Sequence, residues 1–368
     1  MAESSSFAKF VSEKISKIRW QPTPTQAIRK SGIFATGSWD NGDDNRICIW
    51  NIEDVPPTED ISMDAYMNEQ LDAEIEPTLL CEHHHRGDVT DLVMLSVTQT
   101  WEKLHHFPVN TCSCTGIAVK ADDTYVTVGE DGRINLLHPG HNVPVRTIDE
   151  ADNCTLNAVT FLKQSEAATV NSIGQLKVWD LRQTTDKPSQ IFLMTGERVP
   201  LHCIDKHPTQ PHIVATGGED GTLCIWDMRQ DKFPVTLLSA HSADMWELKF
   251  HTTHPDNLFS CSEDGSVWHW DRSAASAYSN VPNLIAQKDA SLFGKSPFSS
   301  SLLTPAASKI PTVSSPWLSS EASKQCLDIT DLMTGNTMPV NTLDIVDTTL
   351  LCGTDGGQIY TVKNLIIK

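Results

Sequence analysis

The 368-residue sequence has no run of about 18 or more apolar residues, the length that a membrane-crossing helix requires. Its opening residues, MAESSSFAKFVSEK, lack the apolar core of a secretory signal peptide. Basic residues are scarce, since 28 Lys and Arg stand against 47 Asp and Glu, for a formal net charge of −19. Nucleic-acid binding draws much of its affinity from clustered Lys and Arg. We therefore expect an intracellular protein that inserts into no membrane and binds no nucleic acid directly.

Sequence signatures of catalysis are also missing. The chain has no G-x-S-x-G elbow and no H-E-x-x-H helix. The segment DASLFGKS (289–296) approaches a phosphate-binding loop, but Asp289 stands where the first glycine is required and no strand precedes it. The ten cysteines include no C-x-x-C pair and are typical of small buried residues in an intracellular protein. We expect no enzyme, no cofactor and no small-molecule substrate.

A histidine cluster at His83, His84 and His85 is the one metal-like feature, and His105 and His106 would have to join it to surround an ion. The alternative is a solvated loop that precedes a strand. Neutral imidazoles with no cysteine or carboxylate pair beside them are weak evidence for a metal, so the loop is the prediction.

One pattern returns six times along the chain: an apolar strand, a turn with Gly or Asp, a second apolar strand and often Trp-Asp. The turn glycines Gly132, Gly174, Gly221 and Gly265 are separated by 42, 47 and 44 residues, the size of a four-stranded propeller blade. The copies span residues 34–52, 125–138, 167–182, 213–229, 258–272 and 350–362.

This pattern predicts an all-β propeller that fills residues 1–368 as a single domain. Strands such as Leu223–Trp226 are apolar on both faces, and packing of neighbouring blades in a closed ring covers both faces. A strand at about residues 14–20 is predicted to close the last blade by pairing with residues 359–362. The innermost strands are predicted at residues 156–162, 200–208, 245–251 and 340–346.

The second blade is expected to be incomplete. From Asn45 to Gly132 is 87 residues, the span of two blades, yet one hairpin is absent from this stretch. An acidic insertion occupies residues 53–77, residues 85–95 supply an innermost strand, and no turn between apolar strands follows in residues 96–111. We therefore predict a seven-bladed ring whose second blade is truncated in the protein or was lost from the transcript or gene model.

The repeats resemble the WD-repeat family. His241, Ser260, Asp264 and Trp270 match the hydrogen-bonded tetrad that stiffens the blades of that family. Other copies are less complete, because Leu137 stands where the tryptophan is expected. The resemblance implies that these four residues are structural.

A narrower resemblance connects the chain with the small WD-repeat nucleoporins of the Y-shaped nuclear-pore scaffold. It rests on segments throughout the chain, among them ATGSWDN (35–41), VTVGEDGRIN (126–135), VNSIGQLKVWD (170–180), ERVPLHC (197–203) and MWELKFH (245–251). The resemblance implies a scaffold subunit that docks on a helical-solenoid nucleoporin at the nuclear pore. Transport of mRNA and protein, and a kinetochore role in cell division, would follow from the complex. A WD-repeat substrate receptor or adaptor, as in a ubiquitin ligase, is the alternative.

Three residues are candidates for partner binding: Trp39, Asp40 and Trp246. Large aromatic side chains near blade edges often anchor interfaces, although core packing is the alternative for each tryptophan. A Ser/Pro-rich insertion is predicted at residues 273–338, with phosphorylation candidates at Ser296, Thr304 and Ser315, each followed by proline. The alternative is that any Ser/Pro-rich loop contains such dipeptides.

Overall fold

In the computed structural model the secondary structure is almost entirely β-strand. The described residues are 5–22, 31–52, 76–94, 105, 112–120, 122–138, 141, 143–194, 198–230, 232–239, 241–273, 315–318 and 327–367. Within them the strands form six sheets, each with four antiparallel strands in sequence order except at the closure of the ring. The predicted all-β propeller is confirmed.

Each sheet is one blade, and the strands of each blade are named in order from the innermost to the outermost. Blade one has β2 (Ile15–Trp20), β3 (Ile33–Ser38), β4 (Asn45–Asn51) and β5 (Thr78–His85); blade two has β6 (Cys114–Val119), β7 (Tyr125–Gly129), β8 (Ile134–Leu137) and β9 (Arg146–Ile148); blade three has β10 (Leu156–Lys163), β11 (Glu166–Asn171), β12 (Gln175–Asp180) and β13 (Gln190–Leu193). Blade four has β14 (Leu201–Lys206), β15 (Ile213–Gly218), β16 (Thr222–Asp227) and β17 (Thr236–Ser239); blade five has β18 (Met245–Phe250), β19 (Asn257–Ser262), β20 (Val267–Asp271) and β21 (Asp328–Asp331); blade six has β22 (Val340–Val346), β23 (Thr349–Thr354), β24 (Gln358–Lys363) and β1 (Ser5–Phe10). A short 3-10 helix spans Pro316–Leu318.

The six predicted hairpins are the second and third strands of the six blades, and the four predicted innermost strands are confirmed. Gly132, Gly174, Gly221 and Gly265 all have φ between 69° and 85°, a conformation that tight hairpins need and that glycine adopts without strain.

The core lies between blades. Trp226 and Met228 of blade four, for example, belong to one buried cluster with Leu162, Ala168 and Val178 of blade three. Because both faces of a blade are covered in this way, the strands read as continuous apolar runs.

The predicted closing strand is wrong. β1 pairs with β24, from Ser5 opposite Lys363 to Phe10 opposite Gln358, and β2 is the innermost strand of blade one. The ring is still closed by the two ends of the chain. The error arose because Lys17 and Arg19 alternate with apolar residues, as on a solvent-exposed outer strand, whereas both line the central channel.

The blade count is six in the described residues, so the prediction of seven is corrected. Residues 86–94 form no strand, yet Val89 takes the place of the first residue of an innermost strand. Its side chain lies against Gly37 as Met245 lies against Gly217, and its carbonyl accepts a hydrogen bond from Ser16 as that of Leu156 does from Thr115. Residues 95–104 and 106–111 lie outside the described residues, so the incomplete blade stays a prediction.

Two other expectations change. His83, His84 and His85 lie in β5, the outermost strand of blade one, and not in a loop. The Ser/Pro-rich stretch 273–338 contains β21, which completes blade five, and the buried turn Pro316–Leu318. Of the acidic insertion 53–77, only residues 76 and 77 are described.

Candidate partner-binding surface

The hairpin turns all lie at one end of the ring, which we call the turn face. Loops that lead from the outermost strand of one blade to the next blade cross this end as well. Gly221, for example, lies directly against the backbone of His241, and Gly174 against that of Val199. The opposite end carries the loops between the third and fourth strands.

Trp39 and Asp40 follow β3 on the turn face, where blade one meets blade six. The indole Nε1 of Trp39 donates a hydrogen bond to Asp355 Oδ1 at 3.1 Å, so the ring is half-buried and held across the blade boundary. Asp40 is exposed, has a φ of 58°, and its carboxylate is 2.6 Å from Lys14 Nζ. The ring of Trp39 is therefore held in one orientation beside the exposed charges of Asp40 and Lys14.

Trp246 is the second residue of β18 and lines the central channel, a cavity of about 320 Å³. Its ring centroid is 5.1 Å from that of His202, whose Nε2 lies 3.3 Å from Asp244 Oδ2. The structure therefore places Trp39 and Asp40 together on the rim, and Trp246 at a separate position by the channel.

Hydrogen bonds connect the four tetrad residues in blade five, with Ser266 Oγ between His241 Nδ1 at 2.8 Å and Asp264 Oδ1 at 2.6 Å. Ser260 Oγ lies 2.8 Å from His241 Nε2 and accepts from Trp270 Nε1 at 2.9 Å. Asp264 accepts from the backbone N–H of Ser242 at 2.8 Å and lies 3.5 Å from His241 Nδ1. Burial lowers the pKa of His241, although Asp264 opposes this effect.

The tryptophan-to-hydroxyl bond recurs at 2.9 Å in three further blades: Trp50 to Thr36, Trp179 to Thr169 and Trp226 to Thr216. Each bond satisfies a buried indole N–H between the second and third strands. These residues occupy the interior of the blades and do not form a surface that a ligand reaches.

Blade two holds a partial tetrad that the sequence did not reveal. His105 is buried, with Nδ1 2.9 Å from Asp131 Oδ1 and Nε2 2.9 Å from Thr127 Oγ1, the places that Asp264 and Ser260 hold around His241. The metal hypothesis groups His105 with His83–His85, whereas the structure places His105 in this tetrad and His83–His85 in β5. Asp131 and Thr127 were the available signal, but Leu137 in place of the tryptophan hid it.

Charged side chains line the channel and pair across the blade boundaries. Arg19 of blade one lies 2.6 Å from Glu247 of blade five and 3.0 Å from Asp91. Glu247 also accepts hydrogen bonds from Thr342 Oγ1 at 2.7 Å and from the backbone N–H of Leu343 at 3.1 Å. Asp91 in turn accepts from the N–H of Ile117 at 2.9 Å, which connects residues 86–94 to blade two.

Two channel carboxylates have shifted pKa values in opposite directions. Burial disfavours the ionised form of Glu247, but Arg19, Lys17 and Lys249 outweigh it and lower the pKa to about 2. Burial raises the pKa of Asp205 to about 6, even though Lys249 and the N–H groups of Phe250 and Lys206 favour its ionised form. These groups hold neighbouring innermost strands together.

Within the described residues, no group of three or more His, Cys, Asp or Glu is placed to hold a metal ion. No helix in that part of the chain is long and apolar enough to span a membrane. The DASLFGKS segment, His106, Ser296 and Thr304 lie outside the described residues.

Comparisons with known proteins agree with this architecture. Residues 188–227 and 232–271, in blades three to five, match the family model described as WD domain, G-beta repeat. The chain is 44% identical to Nucleoporin Nup43 of Homo sapiens over 395 aligned positions, which cover 98% of each protein, and 44% identical to Nucleoporin Nup43 of Mus musculus with the same coverage.

A more distant relative is the Nuclear pore complex protein nup43 of Dictyostelium discoideum, 30% identical over 165 positions that cover 44% of this chain and 39% of the relative. The mammalian matches extend over almost the whole chain at an identity well above that of shared fold alone. The chain therefore belongs to the Nup43 family of WD-repeat nucleoporins, which are nuclear pore proteins.

Proposed function

We propose that this protein is a structural scaffold subunit of the nuclear pore complex, that it docks on a helical-solenoid nucleoporin, and that it is not an enzyme. The observation that carries the proposal is the near full-length similarity to the Nup43 nucleoporins. We further propose that it acts in nucleocytoplasmic transport and in mitotic kinetochore function, as the resemblance to nuclear-pore scaffold subunits implies.

The interior of the ring supports a binding role rather than catalysis. The buried polar side chains described above are engaged in tetrads or in pairs between blades, so they serve the fold. Propellers of this kind present rims and faces on which a partner rests. No reacting group is required for that task.

For the docking surface we propose the turn face, with Trp39 and Asp40 as one contact and Trp246 as another. The Trp39 ring is already oriented by its bond to Asp355, which lowers the entropic cost of using it as an anchor. The exposed Asp40 and Lys14 would form the polar rim around that anchor.

The test is affinity capture of tagged protein from cells, combined with imaging of the same tag. Wild-type protein should give a nuclear rim and co-purify scaffold nucleoporins. Trp39→Ala combined with Asp40→Lys, and separately Trp246→Ala, should reduce that recovery at unchanged thermal stability. Phe233→Ala is the matched control, because Phe233 is 50% exposed and lies in the loop after β16, at the end opposite the turn face.

The alternative function is a substrate receptor or adaptor in another complex, such as a ubiquitin ligase. A diffuse cellular signal with ligase subunits in the captured material would favour that function. That result would also overturn the scaffold proposal. Nucleoporin recovery would then be at background level for wild-type protein and for the docking variants alike.

We also infer that the stretch after Val89 is a shortened blade. Support comes from Val89 and Asp91, which make the inter-blade contacts of an innermost strand although no second strand is paired with them in the described residues. The alignment with the human relative has 395 positions against the 368 residues of this chain, so at least 27 positions are gaps in this chain. Insertion after Met94 of the segment that follows the equivalent position in the human relative should raise the unfolding temperature if the inference holds, and leave it unchanged otherwise.

A further inference from the structure

A short turn from the Ser/Pro-rich stretch is built into the propeller core. Residues 315–318 are described, whereas residues 274–314 and 319–326 on either side are not. Trp317, in the middle of this turn, is 0% exposed and belongs to the same buried cluster as Ile225 of blade four and Leu258 of blade five. We call residues Ser315–Leu318 the latch.

Specific contacts hold the latch between blades four and five. Trp317 Nε1 donates to the carbonyl of Pro255 at 2.9 Å, and the Trp317 carbonyl accepts from Thr236 Oγ1 at 3.2 Å. The indole ring meets Phe250 edge-on at 5.5 Å, and the guanidinium carbon of Arg272 lies 5.2 Å from the ring centroid. Both the polar groups and the aromatic ring of Trp317 therefore contact residues of the two blades.

Ser315 lies at the start of the latch and is followed by Pro316, the dipeptide that proline-directed kinases modify. It is only 3% exposed, and its Oγ is buried with no hydrogen-bond partner among the described residues. A backbone bond from Leu318 N–H to the Ser315 carbonyl at 3.0 Å ties it to the rest of the turn. A buried, unsatisfied hydroxyl costs free energy, and it favours release of this end of the latch.

We propose that Ser315 is a phosphorylation site for a proline-directed protein kinase, and that its modification holds the latch open. A kinase reaches the hydroxyl only when the turn leaves its place between the blades. Once modified, Ser315 carries a dianionic group that is too large and too strongly hydrated for a site that is 3% exposed. Trp317, Leu318 and the groove that they leave then face solvent.

The chemistry requires ATP as the phosphoryl donor. The Ser315 Oγ–phosphorus bond forms while the bond between the γ-phosphorus and the β–γ bridging oxygen breaks. ADP leaves, and the hydroxyl proton passes to the catalytic base of the kinase. No redox change takes place.

The experiment is phosphorylation of the purified full-length chain by a cyclin-dependent kinase with ATP, with the rate at each Ser-Pro and Thr-Pro site followed by mass spectrometry. Ser296 and Thr304 belong to the same Ser/Pro-rich stretch and serve as internal references. Because only the open fraction reacts, Trp317→Ala should raise the rate at Ser315 by about tenfold or more and leave the Thr304 rate unchanged. Thr236→Val, which removes one bond to the latch, should raise it less.

A second measurement does not depend on the folding of a Trp317 variant. In wild-type protein, phosphorylation should speed hydrogen exchange in peptides that contain Leu318 and in β17, while Ser315→Ala treated with the same kinase should show no change. Three results would overturn the proposal: equal rates at Ser315 in wild-type protein and Trp317→Ala, no modification of Ser315 in either, or unchanged exchange after modification. The last result would mean that the phosphate is accommodated in place, for example by Arg272.

Discussion

At the scale of single residues, the channel contains buried charged side chains that are paired with opposite charges or hydrogen-bond donors. Glu247 is 6% exposed and contacts cations from blade one together with hydrogen-bond donors from blade six. A buried ion pair contributes little net stability compared with an apolar replacement, but removal of one member leaves the other unpaired. The residue therefore matters mainly through the partners that it satisfies.

Glu247→Ala is expected to lower the free energy of unfolding by about 3–5 kcal/mol, because Arg19 and the backbone N–H of Leu343 lose a buried acceptor. Urea unfolding followed by circular dichroism measures the loss. Glu166→Ala is the control, since its pair with Lys163 is on the surface and should cost less than about 1 kcal/mol. Similar losses for the two variants would contradict the role given to Glu247.

Asp205 and Glu247 should give the stability opposite pH dependences. The pKa of Asp205 is raised from 3.8 to about 6, so its stabilising effect is full below pH 3.8 and is lost as the pH rises through 6. The pKa of Glu247 is lowered from 4.5 to about 2, so its effect is present above pH 4.5 and is lost as the pH falls towards 2.

Asp205→Asn should therefore flatten the decline in stability between pH 4 and about 6.5, while the acid limb below pH 4.5 remains. Unfolding midpoints in urea across this range test the expectation. An Asp205→Asn profile that runs parallel to wild type from pH 4 to 7 would rule out a titrating Asp205.

At the scale of elements, the hairpins were predictable and the outer strands were not. Gly221 between β15 and β16 combines a turn that needs positive φ with strands that are apolar on both faces, a pattern that few structures other than packed blades share. β9 has three residues and β21 has only exposed ones, so neither shows a periodic signal. β1 is similarly inconspicuous, because its six residues, SSFAKF, are followed by no turn glycine or second apolar strand of the repeat pattern.

Deletion of residues 1–10 should weaken blade six, because the edge of β24 then loses six paired residues. We expect a lower unfolding temperature, faster hydrogen exchange in β24 and a greater tendency to aggregate. Deletion of residues 1–4 is the control, since it leaves all six pairs with β24 in place. If the two deletions behave alike, β1 contributes nothing to the closure of the ring.

At the scale of the whole molecule, the sequence predicted the ring and its family, whereas the described residues form six complete blades and not seven. The spacing of repeats implied room for seven blades, because 87 residues separate Asn45 from Gly132. Spacing cannot tell a blade from a loop, whereas the contacts of Val89 and Asp91 place residues 86–94 against blades one and two. Trp39 and Trp246 were identified as candidate contacts by residue type. Their separation on the ring depends on the fold and could not be predicted from the sequence.

Substitutions at three glycines test how rigidly residues 86–94 are held. Gly37, Gly217 and Gly353 each lie on the second strand of a blade, and a methyl group added there would overlap Val89, Met245 or Ile15, respectively. Gly217→Ala and Gly353→Ala should each cost about 1–3 kcal/mol, because Met245 and Ile15 belong to strands paired within complete blades. Gly37→Ala should cost less than Gly353→Ala, because Val89 is held by hydrogen bonds with Ser16 and Ser38 but by no paired strand in the described residues, whereas Ile15 belongs to the paired strand β2. Chemical unfolding of the three variants under one set of conditions gives the comparison. If Gly37→Ala is as costly as Gly353→Ala, residues 86–94 are held as rigidly as a complete blade, and the inference of a shortened one fails.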